Sequence, residues 1–326
     1  MSAPSLRERV SVLRRSGELD LSTPGTGATA GRLERLAALG HEDLSVARLA
    51  EPHVDARAIA EDLGLALSVD GLYGVWASGG RASTMTVRRS GGGWCLSGQK
   101  PFCSGADICD GALVTVACRD GGPDVLIDLD LVAARRSGRL GVDPTGWSTA
   151  AFEDTCTATV TADDVELRAD AVLAPAKAYL ERPGFWHGAL GPAAVWVGGA
   201  RGLVAAAADL VGAGADAHDR AALGRLRALE WATSAWLGAA GDEVDADPAD
   251  LSAARRRAVT VRHLVQRSAI EVIDLFGQLG GPRSLAFDRD AVRRVQELQL
   301  YVRQFHGPVE LEMLGGPEPD HGPVTP

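Results

Sequence analysis

Few side chains in this 326-residue chain combine the type and the spacing that acid–base chemistry requires. His306 stands just before Gly307, and an imidazole exchanges a proton near neutral pH. Glu310 and Glu312 follow a turn later and provide alternative carboxylates. A histidine that is only packed at a helix interface is the alternative interpretation of His306. One short segment therefore offers a candidate base and two candidate carboxylates.

Motifs of several other reaction classes are absent from the sequence. It has no GxGxxG, no phosphate-binding P-loop and no GxSxG nucleophile elbow. His187 follows Trp186 and has no partner at the spacing that metal ligands need. We therefore expect neither a Rossmann dinucleotide site nor a metal centre.

The stretch 90–116 is the most informative part of the chain. Three glycines at 91–93 predict a reversal, Ser97-Gly98 predicts a tight turn, and Leu113 to Val116 is apolar enough for a buried strand. Between the turn and that strand, Lys100, Phe102 and Ser104 alternate with other residues before Gly105 breaks the pattern. The stretch therefore predicts three strands joined by short turns.

The residues of this stretch, GGWxLxGxKxFxSGAxxxDxxLV, resemble the middle β-domain of the acyl-CoA dehydrogenase family. Members of that family are flavoproteins that hold FAD against this sheet. The resemblance implies that Phe102 lies beside the flavin ring, with Cys103 next to it, and that the hydroxyl or backbone N–H of Ser104 bonds the flavin edge. The alternative is that Phe102 is a core residue and Ser104 a turn residue.

Two further segments resemble the family's cofactor elements. Arg220, followed by Leu223-Gly224, is similar to the RxxFG element whose arginine meets the FAD pyrophosphate of a neighbouring subunit. The family's QxxGG loop, which closes over FAD, is similar to the segment with Gln278, Gly280 and Gly281. In this chain the glutamine is one residue closer to the glycine pair than in the family pattern. A solvated arginine and an ordinary glycine helix stop are the alternatives.

The chain departs from the family pattern in two places. At the position of the family's TExxxGSD loop it has 73–80, YGVWASGG, where Trp76 and Ser78 are the residues left to contact flavin. At the position of the catalytic glutamate in YEGT it has His306. In having a histidine near this helix, the chain resembles the flavin-dependent hydroxylases that share the fold.

Composition points to a globular chain without nucleic-acid or membrane partners. The net charge is −10 and no basic stripe occurs, so binding along a nucleic-acid backbone is not expected. No apolar run is seen that approaches the roughly 20 residues of a membrane span, and no apolar leader precedes the first helix. We therefore expect a cytoplasmic protein. The five cysteines, an odd number without CxxC spacing, predict free buried thiols: Cys95, Cys103, Cys109, Cys118 and Cys156.

Hydrophobic periodicity predicts an α+β fold of three parts and a tail. Residues 1–68 read as a short N-terminal helical segment, with a helix stop at Gly40, a start at Asp43 or Ser45, and an interruption at Pro52. Residues 69–175 read as an antiparallel β-sandwich or barrel, and 176–316 as a four-helix bundle. The four helices are expected at about 189–210, 219–240, 252–276 and 288–314. Residues 317–326 read as a flexible tail. The order of the parts is that of acyl-CoA dehydrogenases. The N-terminal helical segment is shorter than in that family, so we expect one wall of the usual substrate cleft to be altered.

The resemblance implies an FAD-dependent oxidoreductase that oxidises an acyl thioester, of CoA or a carrier protein, or a related small substrate. His306 would be its base, and the chain would form a homodimer or homotetramer. Two alternatives stay open: a degenerate, non-catalytic subunit with a structural or regulatory role, and a flavin-dependent oxygenase on the same fold.

Overall fold

The N-terminal segment consists of three helices. The computed structural model describes residues 4–78, 82–212 and 215–316. The helices are α1 (Leu6–Arg15), α2 (Thr29–Glu42) and α3 (Leu44–Asp62). Asp43 begins α3, as predicted, because its carboxylate accepts hydrogen bonds from the backbone N–H groups of Ser45 and Val46.

Two predicted helix boundaries in this segment are wrong. Helix α2 continues past Gly40, where an added Cβ would lie 2.6 Å from the Val195 carbonyl oxygen, so this glycine serves close helix packing. Helix α3 runs through Pro52 without a break. A proline inside a helix costs about 3 kcal/mol, and α3 tolerates it because the helix is buried along most of its length.

Within the described residues, the middle of the chain forms an eight-stranded sheet, where the sequence predicts an antiparallel β-sandwich or barrel. Strand order is β6-β7-β3-β2-β4-β5-β8, and β1 pairs with β4. Pairing is mostly antiparallel, but β1–β4 and β2–β4 are parallel. The strands are β1 (Tyr73–Trp76), β2 (Thr86–Ser90), β3 (Gly93–Cys103), β4 (Gly111–Cys118), β5 (Val125–Asp130), β6 (Leu140–Asp143), β7 (Ala158–Leu167) and β8 (Val172–Pro175), with α4 (Leu131–Arg136) after β5.

Strand β3 replaces two of the predicted strands. The reversal at Gly91 is confirmed, but Ser97-Gly98 is a β-bulge within one continuous strand and not a turn. Gly98 has a φ of +108°, and a Cβ there would lie 2.3 Å from the Thr84 carbonyl oxygen, so only glycine fits. Leu113 and Val114 are fully buried in β4, as predicted.

The C-terminal part is helical, as predicted. Helix α7 is its centre and packs against α2, α3, α8, α9 and α10. The helices are α5 (Ala176–Leu180), α6 (Pro183–Gly188), α7 (Leu190–Leu210), α8 (Ala217–Ala246), α9 (Leu251–Phe287), α10 (Arg289–Tyr301) and α11 (Pro308–Gly315).

The predicted last helix is broken in the middle. Helix α10 ends at Tyr301, a 3-10 turn follows, and α11 begins only at Pro308. Gly307 has a φ of +47° and reverses the chain between the two helices. Within the break, the Gln304 carbonyl oxygen accepts a hydrogen bond from Arg262 of α9.

Among the described residues, one segment is long and apolar enough to cross a membrane, by length and composition only. It covers 183–210, that is α6 and α7, with a mean hydropathy of 1.3. Because 67% of its most apolar 18-residue stretch is buried within the protein, it has the character of a core helix.

The thiols are free, as predicted. Cys95, Cys103 and Cys109 are buried, whereas Cys118 and Cys156 are only half-buried.

Candidate active site

A cavity of about 520 Å³ lies where α3, β1 and the residue after β3 meet α5, α6, α9 and the chain break after α10. It contains four of the predicted site residues, Trp76, Ser78, Ser104 and His306, and the alternative carboxylate Glu310. Helix α3 forms one wall, so the short N-terminal segment still closes this side of the cavity. A second cavity of about 610 Å³ lies between α4, β7 and β8 and contains none of the predicted residues.

The strand side of the cavity is built around Ser104. The indole N–H of Trp76 donates to the Ser104 carbonyl oxygen over 3.0 Å, which fixes the buried ring against the sheet. The guanidinium of Arg48 donates to the Ser104 hydroxyl over 3.1 Å, and that hydroxyl lies 3.0 Å from the Thr157 hydroxyl. A rigid polar corner results.

Arg48 is held in this corner by aromatic rings. Its guanidinium carbon lies 4.7 Å from the ring centre of Tyr301 and 5.0 Å from that of Phe152. Its Nε is buried and, within the described residues, has no hydrogen-bond partner. A buried N–H without an acceptor is unfavourable, so the ring contacts and the bond to Ser104 must hold Arg48 in place at the cost of one unsatisfied donor.

The helix side of the cavity carries two carboxyl groups one turn apart on α3. Glu51 is only 7% exposed, and Asp55 is half-buried. Neither carboxyl has a hydrogen bond or ion pair with any residue in the described parts of the chain. Burial and, after it, the charge of Asp55 raise the pKa of Glu51 to about 8. Burial also raises the pKa of Asp55.

Glycines bring the backbone of α6 and α7 close to this carboxyl pair. A Cβ at Gly191 would lie 2.5 Å from Glu51 Oε1, and a Cβ at Gly188 would lie 2.6 Å from Asp55 Oδ1. Any larger residue at these positions would occupy the space of the carboxyl groups.

Arg262 is a second cation of the cavity, and its donors are already engaged. It pairs with Glu310 over 3.3 Å and donates to the carbonyl oxygens of Ala189 and Gln304 over 3.0 and 3.3 Å. The network ties α9 to the start of α7 and to the break after α10.

His306, the predicted base, stands at the rim of the cavity. Its side chain is 77% exposed, and its Nδ1 lies 3.7 Å from Glu310 Oε1. Glu310, the alternative carboxylate, lines the cavity, and Glu312 does not. That His306 acts as base stays a prediction.

Phe102 and Cys103 lie outside the cavity. Phe102 is 66% exposed, so its alternative interpretation as a core residue is wrong. The thiol of Cys103 is buried and donates to the Lys100 carbonyl oxygen over 3.3 Å, and burial raises its pKa to about 12. Contact of either residue with flavin stays a prediction.

The residues expected to serve a neighbouring subunit also lie away from this cavity. Arg220 donates to the Ala215 carbonyl oxygen, and Gln278 donates to Asp274 over 2.9 Å. Gly280 precedes Gly281, whose φ of +55° kinks α9. A single chain does not test contacts across subunits, so these roles stay predictions.

Sequence reasoning missed Arg48, Glu51 and Asp55. The sequence carries a signal for Glu51, because apolar residues recur at three- and four-residue spacing along α3 and Glu51 falls on the same stripe, which is buried in the structure: 44, 47, 51, 54 and 58. No signal for the orientation of Arg48 was found. Among the residues described, no group of three or more side chains fits a metal ion.

A scan against protein-family models finds no match, and a sequence search of curated proteins finds none. Solved structures do match. KijD3 in complex with FMN and dTDP-3-amino-2,3,6-trideoxy-4-keto-3-methyl-D-glucose superposes with a TM-score of 0.75 at 20% identity, over 94% of this chain and 84% of that one. TdsC from Paenibacillus sp. A11-2 with FMN and indole has a TM-score of 0.75 at 19% identity, over 96% and 94%.

Methanesulfinate monooxygenase MsuC from Pseudomonas fluorescens has a TM-score of 0.76 at 19% identity, over 94% of this chain and 88% of that one. At these identities the likeness establishes the fold, which is acyl-CoA dehydrogenase-like, with N-terminal helices, a central sheet and a C-terminal helical region. The predicted fold class is thereby confirmed.

Proposed function

We propose that the chain is a flavin-dependent oxidoreductase that uses molecular oxygen to oxidise a small organic molecule. The observation that carries the proposal is the cavity that brings Trp76 and Ser104 of the sheet together with Arg48 and Glu51 of α3. Its strand side is the side to which the family resemblance assigns the flavin.

The residues of the cavity fit a flavin. Its volume of about 520 Å³ falls within the range of small-molecule sites, about 300–1,000 Å³. Trp76 offers a fixed aromatic surface, and the positive charge of Arg48, held beside Ser104, suits the electron-rich carbonyl edge of a flavin. These two residues and Ser104 would hold the ring.

When bound and reduced, the flavin supplies the electrons for oxygen chemistry. The chain's own residues contribute orientation and charge. Arg48, oriented by Ser104, provides a positive charge beside the ring, and Trp76 and Tyr301 exclude water from it. Reduced flavin would come from a separate reductase.

FMN is the flavin that we propose. KijD3 and TdsC are both described in complex with FMN, which supports this choice. FAD remains the alternative if a homodimer or homotetramer, which is also part of this proposal, brings Arg220 and Gln278 to a partner's site. The cytoplasmic location stays a prediction.

Oxidation of an acyl thioester, of CoA or a carrier protein, is the second candidate. The observation that favours it is Glu310, a carboxylate in the cavity just after His306. We rank it lower because Glu310 is bound by Arg262, and a base that removes an α-proton must be free to accept it.

The first test is a titration of the purified protein with FMN and with FAD, followed by flavin fluorescence. Trp76→Phe removes the N–H bonded to Ser104, and we expect FMN affinity to fall about 2- to 10-fold. Trp94→Phe is the matched control, because its indole N–H is also bonded to a backbone carbonyl, at Ala169, but away from the cavity. No binding of either flavin would favour the non-catalytic alternative.

The second test follows oxygen uptake by the FMN-loaded protein with a flavin reductase and NADH. Substrate-dependent uptake, with oxygen incorporated into the product, supports the proposal. Reduction of a dye by acyl thioesters without oxygen uptake would replace it with the dehydrogenase.

A further inference from the structure

Glu51 and Asp55 line the cavity, and no donor from the described residues bonds to either carboxyl. Buried carboxyl groups in proteins are nearly always paired or hydrogen-bonded. Glu51 is more than nine-tenths buried, lines the cavity and has no such partner in the part of the chain that the structure describes. A ligand that brings N–H donors and positive charge would satisfy both carboxyls at once.

The hydrogen bonds of the cations around the pair go to groups other than these two carboxyls. Arg262 is bound by Glu310 and two carbonyl oxygens, Arg48 by Ser104, and Arg32 donates to the Ser22 carbonyl oxygen. The charged and titratable groups that face the pair are Arg32 from α2, Arg48 and Asp62 from α3, Tyr179 from α5, Arg182 before α6, Arg262 from α9 and Tyr301 from α10. Arg182 pairs with Asp62.

An aromatic wall stands on the same side of the cavity. Tyr179 meets Phe185 edge to face with ring centres 5.4 Å apart, and Phe185 meets Trp186 in the same way. All three line the cavity. Aromatic rings attract organic cations through their electron-rich faces. The guanidinium carbons of Arg182 and Arg255 lie 5.5 Å from the ring centres of Tyr179 and Trp186, so each of these rings already has a cation over one face. Phe185 has no such contact among the described residues and is the ring left for a bound amine.

We propose that Glu51 and Asp55 form the subsite for an amine substrate, and that Glu51 takes up the proton that the bound ammonium group gives up. This rests on the proposed function, in which the strand side holds the flavin and the helix side is left for the substrate. In the proton transfer, one N–H bond breaks and one O–H bond forms on the Glu51 carboxylate. No electrons are transferred, and the nitrogen keeps the lone pair that its oxidation requires.

The proton balance gives the subsite a measurable signature. Because the pKa of Glu51 is raised to about 8, the carboxyl holds a proton at neutral pH before the amine arrives. When an ammonium ion binds, Glu51 first loses the proton that it carries, and this proton goes to the solvent. The proton that the ammonium ion brings is then shared between its nitrogen and the Glu51 carboxylate. Affinity should therefore rise about tenfold per pH unit below pH 8.

The test is calorimetric titration with benzylamine and its neutral isostere benzyl alcohol, at pH 6, 7 and 8, in two buffers of different ionisation enthalpy. Experiments are done on the free and the FMN-loaded protein. We expect benzylamine to bind about tenfold tighter per pH unit, with about one proton released at pH 6. Benzyl alcohol should bind more weakly, without proton release or pH dependence.

Two variants locate the effect. Glu51→Gln should abolish proton release and weaken benzylamine binding at least tenfold at pH 8. Asp55→Asn should lower the pH at which affinity stops rising, because it removes the neighbouring charge. Glu61→Gln, on the same helix outside the cavity, should behave like the parent protein. Circular dichroism checks that each variant is folded.

The proposal is overturned if benzylamine does not bind, if it binds no better than benzyl alcohol, or if folded Glu51→Gln keeps the proton release. The measurements distinguish failure of the amine subsite from failure of the proposed flavin-dependent function. FMN binding without the amine signature removes only the subsite, whereas the amine signature without FMN binding removes only the flavin.

Discussion

Replacing Glu51 with glutamine should make the protein more resistant to unfolding at alkaline pH. The folded state raises the pKa of this carboxyl from its ordinary 4.5 to about 8, through burial and the charge of Asp55. Between these values the folded protein holds a proton that the unfolded chain has released. Stability is therefore lost as pH rises toward 8.

The size of the effect follows from the two pKa values. Each pH unit over which the folded state holds the extra proton costs about 1.4 kcal/mol. Between pH 6 and pH 8 the parent protein should lose about 2 kcal/mol of unfolding free energy on this account, and Glu51→Gln should not.

The assay is urea unfolding at both pH values, with Glu61→Gln as the control. Glu61 is exposed and accepts a hydrogen bond from Thr23, so its variant should follow the parent. The reasoning is refuted if the parent and Glu51→Gln lose the same free energy between pH 6 and pH 8.

Three other predictions concern the cavity and the core. Arg48→Met removes a charged donor from the flavin site, so FMN affinity measured by fluorescence should fall about 10- to 100-fold; unchanged affinity would contradict the assignment. Gly191→Ala places a Cβ 2.5 Å from Glu51 Oε1, at the end of a side chain that can move, so benzylamine binding should weaken with little change in the free energy of unfolding. Gly198→Ala places a Cβ 2.0 Å from the backbone carbonyl oxygen of Ala37, so it should lower the free energy of unfolding in urea by about 1–3 kcal/mol. Equal costs would refute this contrast. Burial lowers the pKa of His53 and of His187 to about 4, from 6.5, so stability should fall as pH drops from 6.5 toward 4, and replacing both with glutamine should flatten that fall.

Local chemistry made parts of the fold predictable from the sequence. Asp43 begins α3 because a short carboxylate satisfies the first backbone N–H groups of the helix. Leu113 forms a buried strand because its neighbours are apolar. The resemblance in 92–114 also led to Ser104, which does line the cavity.

Features set by tertiary packing were not predictable. Alternation predicted one face for Lys100, Phe102 and Ser104, but the register shifts between Lys100 and Cys103, so Lys100 is buried and Phe102 is exposed. Proline rules predicted a break at Pro52, which packing overrides.

The reversal at Gly307 was readable from the Gly-Pro pair, yet the continuous apolar stripe suggested a single helix. Glu51 was missed because its position relative to the cavity depends on the tertiary structure. A carboxyl group on a buried stripe becomes meaningful only when the cavity beside it is seen.

A crystal structure of the protein with FMN would test the central claim most directly. The account predicts the isoalloxazine ring in the cavity of about 520 Å³, in contact with Trp76, Ser104 and Arg48, with the Glu51 carboxyl left accessible on the opposite side. A ring bound anywhere else, or this cavity filled by side chains at saturating FMN, would contradict it.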